Sequence, residues 1–256
     1  MCWIFTIIKK MINKYFLEVF ENAKRQGPGS ESETHKVYQT LGNLPENPAI
    51  LDIGCGKGAQ SFALADISNG HICATDMHKA FLGELQSQIQ EKNLGHRITT
   101  MIADMAELPF LPEQFDVLWA EGSAFIIGYE AALEKWKKFI KPGGYLAFSD
   151  CVWLTDEQPE ELVEFWKSEE IDIPHKSSIL EKAKSENYTI VDHFTLSKSS
   201  WKEEFYDHIE VALKKARAKF KGNSDAEKTF NSIQKEIDMF DKYNAYYGYE
   251  FFILKK

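Results

Sequence analysis

Two patterns of hydrophobic residues alternate along the middle of the chain. Short apolar runs that end at glycine or polar residues predict buried strands, and the longer stretches between them repeat apolar residues at helical spacing. Strands that alternate with helices form βαβ units, so this order predicts a parallel sheet covered on both faces. The predicted strands are 49–53, 71–75, 97–103, 115–120 and 145–149, with helices at 60–65, 80–91 and 129–140.

The residues before this alternation predict an N-terminal helical cap, residues 1–48. A helical face is followed by the breaker cluster RQGPGS at 25–30, and Ser30 with Glu33 has the spacing of a capping box that opens a second helix. The apolar positions of the first helical face are Ile12, Tyr15, Phe16, Val19 and Phe20.

The first ten residues, MCWIFTIIKK, need a separate interpretation. Their apolar run is far shorter than the ~20 residues of a membrane span. Lysines follow the run instead of preceding it, which is unlike a secretory signal. We interpret the segment as an extra helical turn, or as an upstream start before Met11.

The last third departs from the alternation. Helices are predicted at 159–167 and 178–187 and a strand at 188–196, followed by a helical hairpin at 203–220 and 225–243 and a final strand at 249–254. Ser224 with Glu227 again has the capping-box spacing. Residues 49–256 therefore form one predicted domain with a helical insertion at about 199–248.

Acidic residues lie at the carboxyl ends of three of the predicted strands. The stretch AILDIGCGKG places Gly54, Gly56 and Gly58 where a strand turns into a helix, with Asp52 just before them. Glycines there let backbone approach a ligand, and the helix N-terminus favours negative groups. Asp76 ends the next strand, where a carboxylate suits ribose hydroxyls, and Asp104 follows the third. The spacing Gly-x-Gly-x-Gly differs from the nicotinamide fingerprint Gly-x-Gly-x-x-Gly.

The stretches ILDIGCGKG, ATDMHKAFL, IADMAELPF and FDVLWAEGSAFI resemble the successive motifs of class I S-adenosylmethionine-dependent methyltransferases. The resemblance covers about residues 49–150, and the closing YEFFILKK resembles the antiparallel last strand of that family. It implies a Rossmann-like, doubly wound, seven-stranded sheet with S-adenosylmethionine across the ends of its first strands. The leader AKRQGPGSESET resembles that of a subgroup of bacterial small-molecule methyltransferases, which share AEG after the fourth strand.

The resemblance also implies the cofactor-binding residues. Asp76 is expected to hold the ribose, Met77 to pack on the adenine, and Asp104 to accept a hydrogen bond from the adenine amino group. Met105 is expected to add a backbone contact. The residues expected to line the methionine part of the cofactor are Asp52, Gly54, Cys55 and Gly56.

Glu121 ends the fourth predicted strand, at the edge of the sheet where ligands bind. We assign it as a catalytic and cofactor-binding residue. Three roles are open to its carboxylate: to stabilise the sulfonium or amino group of the cofactor, to hold or deprotonate an amine or hydroxyl substrate, or to cap the following helix. A buried carboxylate without a partner is costly, so we expect a cationic neighbour.

The charge and composition of the chain limit the classes of molecule that we expect it to bind. The formal net charge of −9 and the lack of a basic stripe argue against nucleic acid and against an anionic membrane surface. The four cysteines show no CxxC spacing, which favours reduced thiols in the cytoplasm. No cluster of hard oxygen ligands predicts a metal.

We therefore expect methyl transfer to a small-molecule acceptor, with a homodimer as one oligomeric state. The alternatives are a non-catalytic S-adenosylmethionine-binding protein and a nicotinamide-dependent oxidoreductase.

Two additions to the core are expected to close the site against water, since small-molecule methyl transfer needs a closed site. One is the leader, which is the N-terminal helical cap of residues 1–48, through its breaker cluster at residues 25–30. The other is the helical hairpin of about 203–243. The aromatic residues expected to wall an acceptor pocket are Tyr15, Phe16, Trp153 and Trp201. The alternative is that both segments only cover apolar sheet or form a dimer contact.

Overall fold

One seven-stranded sheet forms the centre of the protein, in a computed structural model that describes residues 13–256. The expectations for residues 1–10, Met11 and Ile12 lie outside this range. The strand order is β3-β2-β1-β4-β5-β7-β6. The strands are β1 Ala49–Ile53, β2 His71–Asp76, β3 Ile98–Ile102, β4 Phe115–Glu121, β5 Ile140–Trp153, β6 Thr189–Thr195 and β7 Tyr247–Lys255.

The pairing is parallel from β3 through β5, and β7 runs antiparallel to both β5 and β6. This confirms the predicted seven-stranded sheet with an antiparallel last strand. Helices cover both faces. They are α1 Lys14–Glu21, α2 Glu31–Thr40, α3 Ala59–Ile67, α4 Lys79–Glu91, α5 Tyr129–Trp136, α6 Glu160–Ser168, α7 Lys176–Ser185, α8 Lys198–Trp201, α9 Asp207–Lys219 and α10 Ser224–Tyr243.

The apolar alternation of the strands separates two core layers, one on each face of the sheet. Val19 of α1 and Trp119 of β4 belong to the layer under the leader and the helical hairpin. Leu118 of β4 and Leu133 of α5 belong to the layer on the opposite face. Neighbouring residues of β4 therefore point to opposite layers, as the two-residue period of a strand requires.

Several element boundaries differ from the sequence expectation. The helix predicted at 129–140 ends at Trp136, and a 3₁₀ turn, Lys137–Phe139, leads into β5. β5 extends beyond the predicted 145–149 at both ends: it begins at Ile140, which pairs with Phe115, and its last four residues, from Asp150 to Trp153, continue to pair with β7. Glu121, the last residue of β4, pairs with Ser149. The β5–β7 ribbon thus extends beyond the end of β4.

The helical hairpin is present, but its start and its cap differ from the expectation. A π-helical turn, Lys202–Tyr206, joins α8 to α9, so this helix begins at Lys198 and not near residue 203. Asn223 caps α10 by accepting from the backbone N–H groups of Asp225 and Ala226. The predicted cap, Ser224, is the first residue inside the helix.

Tyr15 of α1 packs edge-on against Phe220 at the end of α9, with ring centroids 5.2 Å apart. The first leader helix therefore rests on the hairpin. Across residues 13–256, the structure contains no helix long and apolar enough to span a membrane.

Candidate functional site

The loop after β1 reverses the chain sharply before α3. Gly54 and Gly56 have φ values of 71° and 53°, in the left-handed region that residues with a Cβ disfavour. A Cβ on Gly54 would lie 2.5 Å from the Cβ of Ser123, and a Cβ on Gly56 would lie 2.8 Å from the Oε1 of Gln26. The positive φ favours glycine at both positions, and at Gly54 the closeness of Ser123 also leaves no space for a Cβ.

Asp76 ends β2 beside this glycine loop. Its Oδ2 accepts a hydrogen bond from the backbone N–H of Gly56 at 2.9 Å, and its Oδ1 accepts one from His78 at 2.8 Å. Burial raises the pKa of the Asp76 carboxyl, and the two backbone donors act in the opposite direction. Each carboxylate oxygen can accept a second hydrogen bond, so Asp76 can bind hydroxyl groups without leaving the loop.

Asp52 lies beneath the loop, fully buried. Its Oδ1 accepts from the Gln60 side chain at 3.1 Å, and its Oδ2 accepts from the hydroxyl of Ser61. Burial raises the pKa of Asp52 to about 7, although both donors lower it. The carboxylate thus fastens the first turn of α3 to β1. Its direct contact with a cofactor stays a prediction, as does that of Cys55, which is 2% exposed.

Three further predicted residues lie at the ends of β2 and β3. Met77 is 57% exposed, which leaves its side chain free to cover a flat ligand. The exposed Asp104 accepts a hydrogen bond from the Ala106 backbone N–H at 2.8 Å. The Cε of Met105 lies 3.4 Å from the position of a Cβ on Gly54, so this side chain borders the glycine loop. Their contacts with an adenine stay predictions.

Glu121 is held by three donors from three parts of the chain. Its Oε1 accepts from the Thr34 hydroxyl at 2.6 Å and from the indole N–H of Trp119 at 2.9 Å. Its Oε2 forms an ion pair with the Arg25 guanidinium. The side chain of Glu121 is 3% exposed and that of Arg25 is 11% exposed. The expected cationic neighbour is therefore Arg25, which lies in the leader.

The capping role left open for Glu121 is not found. The 3₁₀ turn that follows β4, Ala124–Ile126, has Ser123 at its N-cap position and receives no side-chain cap. Glu121 instead ties β4 to α2 through Thr34 and to the leader through Arg25.

Leader residues between α1 and α2 lie across the glycine loop. The Oε1 of Gln26 accepts from the backbone N–H of Lys57 at 3.0 Å. The Lys57 ammonium donates to the carbonyl oxygens of Glu21 and Ala23 at 2.5 and 3.1 Å. The Nε2 of His78 lies 2.7 Å from the Oε1 of Glu21. Sequence reasoning expected the leader near the site but assigned no contact to Arg25 and Gln26, the first two residues of the breaker cluster.

The second leader helix is tied to the helix that begins at Lys198. Ser30 caps α2 as predicted, accepting from the Glu33 N–H at 3.2 Å. The Glu33 carboxylate accepts from the Ser197 N–H at 2.7 Å and from the Ser200 hydroxyl. The Gly29 N–H donates to the Ser200 carbonyl at 3.2 Å. The leader and the helical insertion thus contact each other beside Glu121.

Aromatic side chains continue from Glu121 along the β5–β7 ribbon. A Cβ on Gly122 would lie 3.0 Å from Tyr249, whose ring meets Trp201 edge-on with centroids 4.8 Å apart. A cavity of about 440 Å³ is lined by Trp153 and Trp166, among others. Trp153 and Trp201 remain predicted acceptor-pocket residues, whereas Tyr15 packs on the hairpin.

Other candidate acid–base and metal-binding groups lie at a different place. Glu31, His35 and Asp66 bring three ligand atoms within 4.8 Å of one another. The Nε2 of His35 already lies 3.1 Å from the carbonyl oxygen of Ala63. Asp66 is close to the C-terminal end of α3, whereas the glycine loop precedes the start of that helix. This group is therefore separate from the site around Glu121.

Comparison with known proteins agrees with this geometry. Residues 50–144, which include the glycine loop, Asp76, Asp104 and Glu121, match the family model described as a methyltransferase domain. Over this region the chain is similar to a methyltransferase domain. The resemblance noted in its motifs is thereby confirmed.

Two curated methyltransferases match about half of this chain. Methyltransferase GfsG of Streptomyces halstedii is 25% identical over 123 residues, which are 48% of this chain and 44% of the relative. Sarcosine/dimethylglycine N-methyltransferase of Aphanothece halophytica is 25% identical over 130 residues, 50% of this chain and 47% of the relative. The chain thus spans less than half of the length of these curated relatives.

Among solved structures, a SAM-dependent methyltransferase from Geobacter sulfurreducens in complex with S-adenosyl-L-homocysteine superposes with a TM-score of 0.80. It is 16% identical, and the match covers 95% of this chain and 98% of the other. At this identity the likeness concerns the fold, and it confirms the Rossmann-like architecture over nearly the whole length.

Proposed function

We propose that this protein transfers a methyl group from S-adenosylmethionine to a small-molecule acceptor. The observation that carries the proposal is the meeting of the glycine loop, Asp76 and Glu121 at one edge of the sheet, inside a methyltransferase domain. In open α/β sheets, ligands bind at the carboxyl ends of the strands where the strand order reverses, and β1 and β4 flank that point here.

The residues present fit the methyl donor. A Cβ on Gly54 would collide with Ser123 and one on Gly56 would meet the end of the Gln26 side chain, so the loop offers only backbone to a ligand at these two positions. Asp76 is fixed by two backbone N–H groups and can accept ribose hydroxyls. Met77, exposed next to it, can cover the adenine, and Asp104 is exposed at the end of the neighbouring strand.

The bound sulfonium supplies an already activated methyl group. The chain therefore has to orient the acceptor and exclude water rather than perform strong acid–base chemistry. We propose that the Glu121 carboxylate at the end of β4, which is paired with Arg25 in this structure, also stabilises positive charge in a bound ligand. The leader, which lies across the glycine loop through Gln26, excludes water from that side.

The acceptor side of the site is proposed to be the aromatic region beyond Glu121, with Trp201 and Tyr249 as walls. We expect a small molecule there and not nucleic acid, because the net charge of −9 repels phosphates. We further propose a cytoplasmic location, since Cys55, Cys73 and Cys151 are free thiols, and a homodimer, which light scattering can test.

Titration calorimetry on the full chain tests the donor. S-adenosylhomocysteine should bind, and NADH, the cofactor of the oxidoreductase alternative, should not. Asp76→Ala should weaken S-adenosylhomocysteine binding at least about tenfold, because charge-assisted hydrogen bonds contribute about 1.5–3 kcal/mol each. The circular dichroism spectrum should be retained. Unchanged affinity in this variant would remove the basis of the donor site.

Turnover separates an enzyme from the non-catalytic alternative. Metabolite extracts incubated with protein and a methyl-labelled donor should yield a labelled small molecule that is absent when Glu121→Gln replaces the wild type. Tight donor binding with no labelled product from any extract would favour the binding protein.

A further inference from the structure

We propose that the cavity at the far end of the β5–β7 ribbon is a binding site for an organic ammonium group. Its volume of about 440 Å³ is in the size range of small-molecule sites. Ser149 of β5 pairs with Glu121, and Trp153, which lines the cavity, lies four residues further along the strand, about 13 Å away. The ammonium group bound there is therefore not the atom that receives a methyl group beside Glu121.

The turn that follows α6 forms one wall of the cavity. Glu170 has a left-handed φ of 55°, and the Ile171 N–H donates to the Trp166 carbonyl oxygen at 2.9 Å. This is the Schellman geometry that ends a helix and reverses the chain. The loop then reaches the end of β5, where the Trp153 N–H donates to the Pro174 carbonyl oxygen at 2.9 Å. The loop is thus held between the two tryptophans.

The indole rings of Trp153 and Trp166 supply the aromatic part of the lining. Both rings meet the ring of Tyr247 on β7 edge-on, with centroids 6.4 and 5.2 Å apart. Tyr247 is fully buried, so its packing fixes the positions of both indoles. The face of an aromatic ring carries negative potential, and indole attracts a cation more strongly than the other aromatic side chains do. This lining favours a positively charged ligand.

The charges around the cavity favour the same class of ligand. Residues 155–173 include eight acidic residues and one basic residue, Lys167. Two of the acids, Glu170 and Asp172, line the cavity together with Lys167, so the lining has a formal net charge of −1. A cleft lined by charge of one sign concentrates ligands of the opposite sign. An anionic ligand is therefore disfavoured.

The apolar part of the lining distinguishes an organic cation from a metal ion. Val163 lines the cavity and is 42% exposed, and Ile171 and Ile173 line it as well. The alkyl groups of an organic ammonium ion can cover this surface, whereas a hydrated metal ion cannot. Together, the indoles, the carboxylates and the apolar side chains match an alkylammonium group.

The test titrates the full chain with three probes of nearly the same shape. They are choline, its neutral isostere 3,3-dimethylbutan-1-ol, and the anion 3,3-dimethylbutanoate. Tryptophan fluorescence reports binding, because two indoles line the cavity, and calorimetry gives the affinity. Choline should bind at least about tenfold more tightly than the neutral probe, since a cation over an indole face gains that much at a partly desolvated site. The anion should not bind.

Substitutions locate the site. Trp153→Leu should weaken choline binding at least about fivefold, because it removes one aromatic face. Asp172→Asn should weaken it about two- to fivefold and Lys167→Met should strengthen it, because they remove opposite charges. Asp156→Asn is the matched control: it removes an exposed carboxylate of the same segment that lies outside the lining, and it should change binding by less than about 1.5-fold. If Trp153→Leu does not fold, the three exposed positions still decide.

The ammonium group has two possible sources, the far end of the methyl acceptor or a separate ligand. Choline added to the labelling assay distinguishes them. Inhibition that weakens in Asp172→Asn assigns the group to the acceptor, and binding without inhibition assigns it to a separate ligand; either result supports the site. Wild-type protein that yields no labelled product would count against the proposed function only, since the choline titration does not depend on turnover.

Four results would overturn the inference. Choline could fail to bind, or it could bind no more tightly than the neutral probe. Asp156→Asn could weaken choline as much as Asp172→Asn does, which would show a diffuse surface effect and not a site. Finally, size-exclusion chromatography could show a dimer that Trp153→Leu dissociates, in which case a second copy of the chain covers the cavity.

Discussion

Asp150→Asn should reduce the pH dependence of stability. Asp150 is 3% exposed on β5, and its Oδ1 accepts a hydrogen bond from the Cys151 backbone N–H at 2.8 Å. Asp192 on β6 makes the same local bond, to the His193 N–H at 2.8 Å, but is exposed. Asp192→Asn is therefore a matched control that differs in burial.

The magnitude follows from the pKa of the buried carboxyl. Burial raises the pKa of Asp150 from 3.8 to about 7, against the effect of the Cys151 donor. The folded state therefore disfavours the charged form. The contribution of Asp150 to stability is fully present below pH 3.8 and is lost as the pH rises through about 7. Between about pH 5.5 and about pH 8.5 the lost free energy of unfolding is about 2 kcal/mol.

Urea denaturation of wild type and both variants at these two pH values measures the effect. Wild type and Asp192→Asn should lose stability in parallel as the pH rises, and Asp150→Asn should lose about 2 kcal/mol less. The comparison is between slopes, so any change in absolute stability from the lost carboxylate oxygen cancels. Other buried carboxyls, such as Asp52, titrate in all three proteins and cancel as well.

Equal pH dependence in Asp150→Asn and Asp192→Asn would refute the reasoning. It would mean that Asp150 is solvated or paired in solution. A steeper dependence in Asp150→Asn would show that its carboxylate is stabilised when charged.

Three more outcomes follow. S-adenosylhomocysteine should slow hydrogen exchange in residues 15–35 as well as in the glycine loop, whereas protection confined to the core motifs would leave the leader as packing. Gly54→Ala should lose at least about 2 kcal/mol of stability in thermal unfolding from its positive φ and lack of space, whereas Gly27→Ala, with open space around it, should lose little. Glu33→Gln should speed exchange in the leader, since it weakens the contact with Ser200; unchanged exchange would count against that tie.

Much of the fold was predictable because the sequence patterns that indicate strands, turns and helix caps span only a few neighbouring residues. The alternation of apolar runs and glycine turns identified the five parallel strands, and Ser30 was correctly predicted as the cap of α2. Boundaries that depend on pairing were not predictable. β5 extends to Trp153 because β7 pairs with it, and β7 is nearly one hundred residues further along the chain.

The candidate site was likewise predictable from the sequence only in part. Asp76 and Glu121 were predicted at strand ends because a strand and the residue that ends it are neighbours in sequence. The partner of Glu121 was expected only as a cation of unknown position, since Arg25 is 96 residues away. The burial of Asp52 was also not predictable, because the same residue type before a glycine turn can face a ligand or the first turn of α3.

By itself, the sequence determined the order of strands and helices, the glycine loop and the acids at the strand ends, because periodicity and turn chemistry act over a few residues. Only the tertiary structure decided which of those acids are paired, buried or open. Asp150 and Asp192 accept the same local hydrogen bond, yet one is enclosed by the sheet and its helices and the other faces water. Burial and ion pairing depend on segments that are far apart in the chain and meet only when it folds.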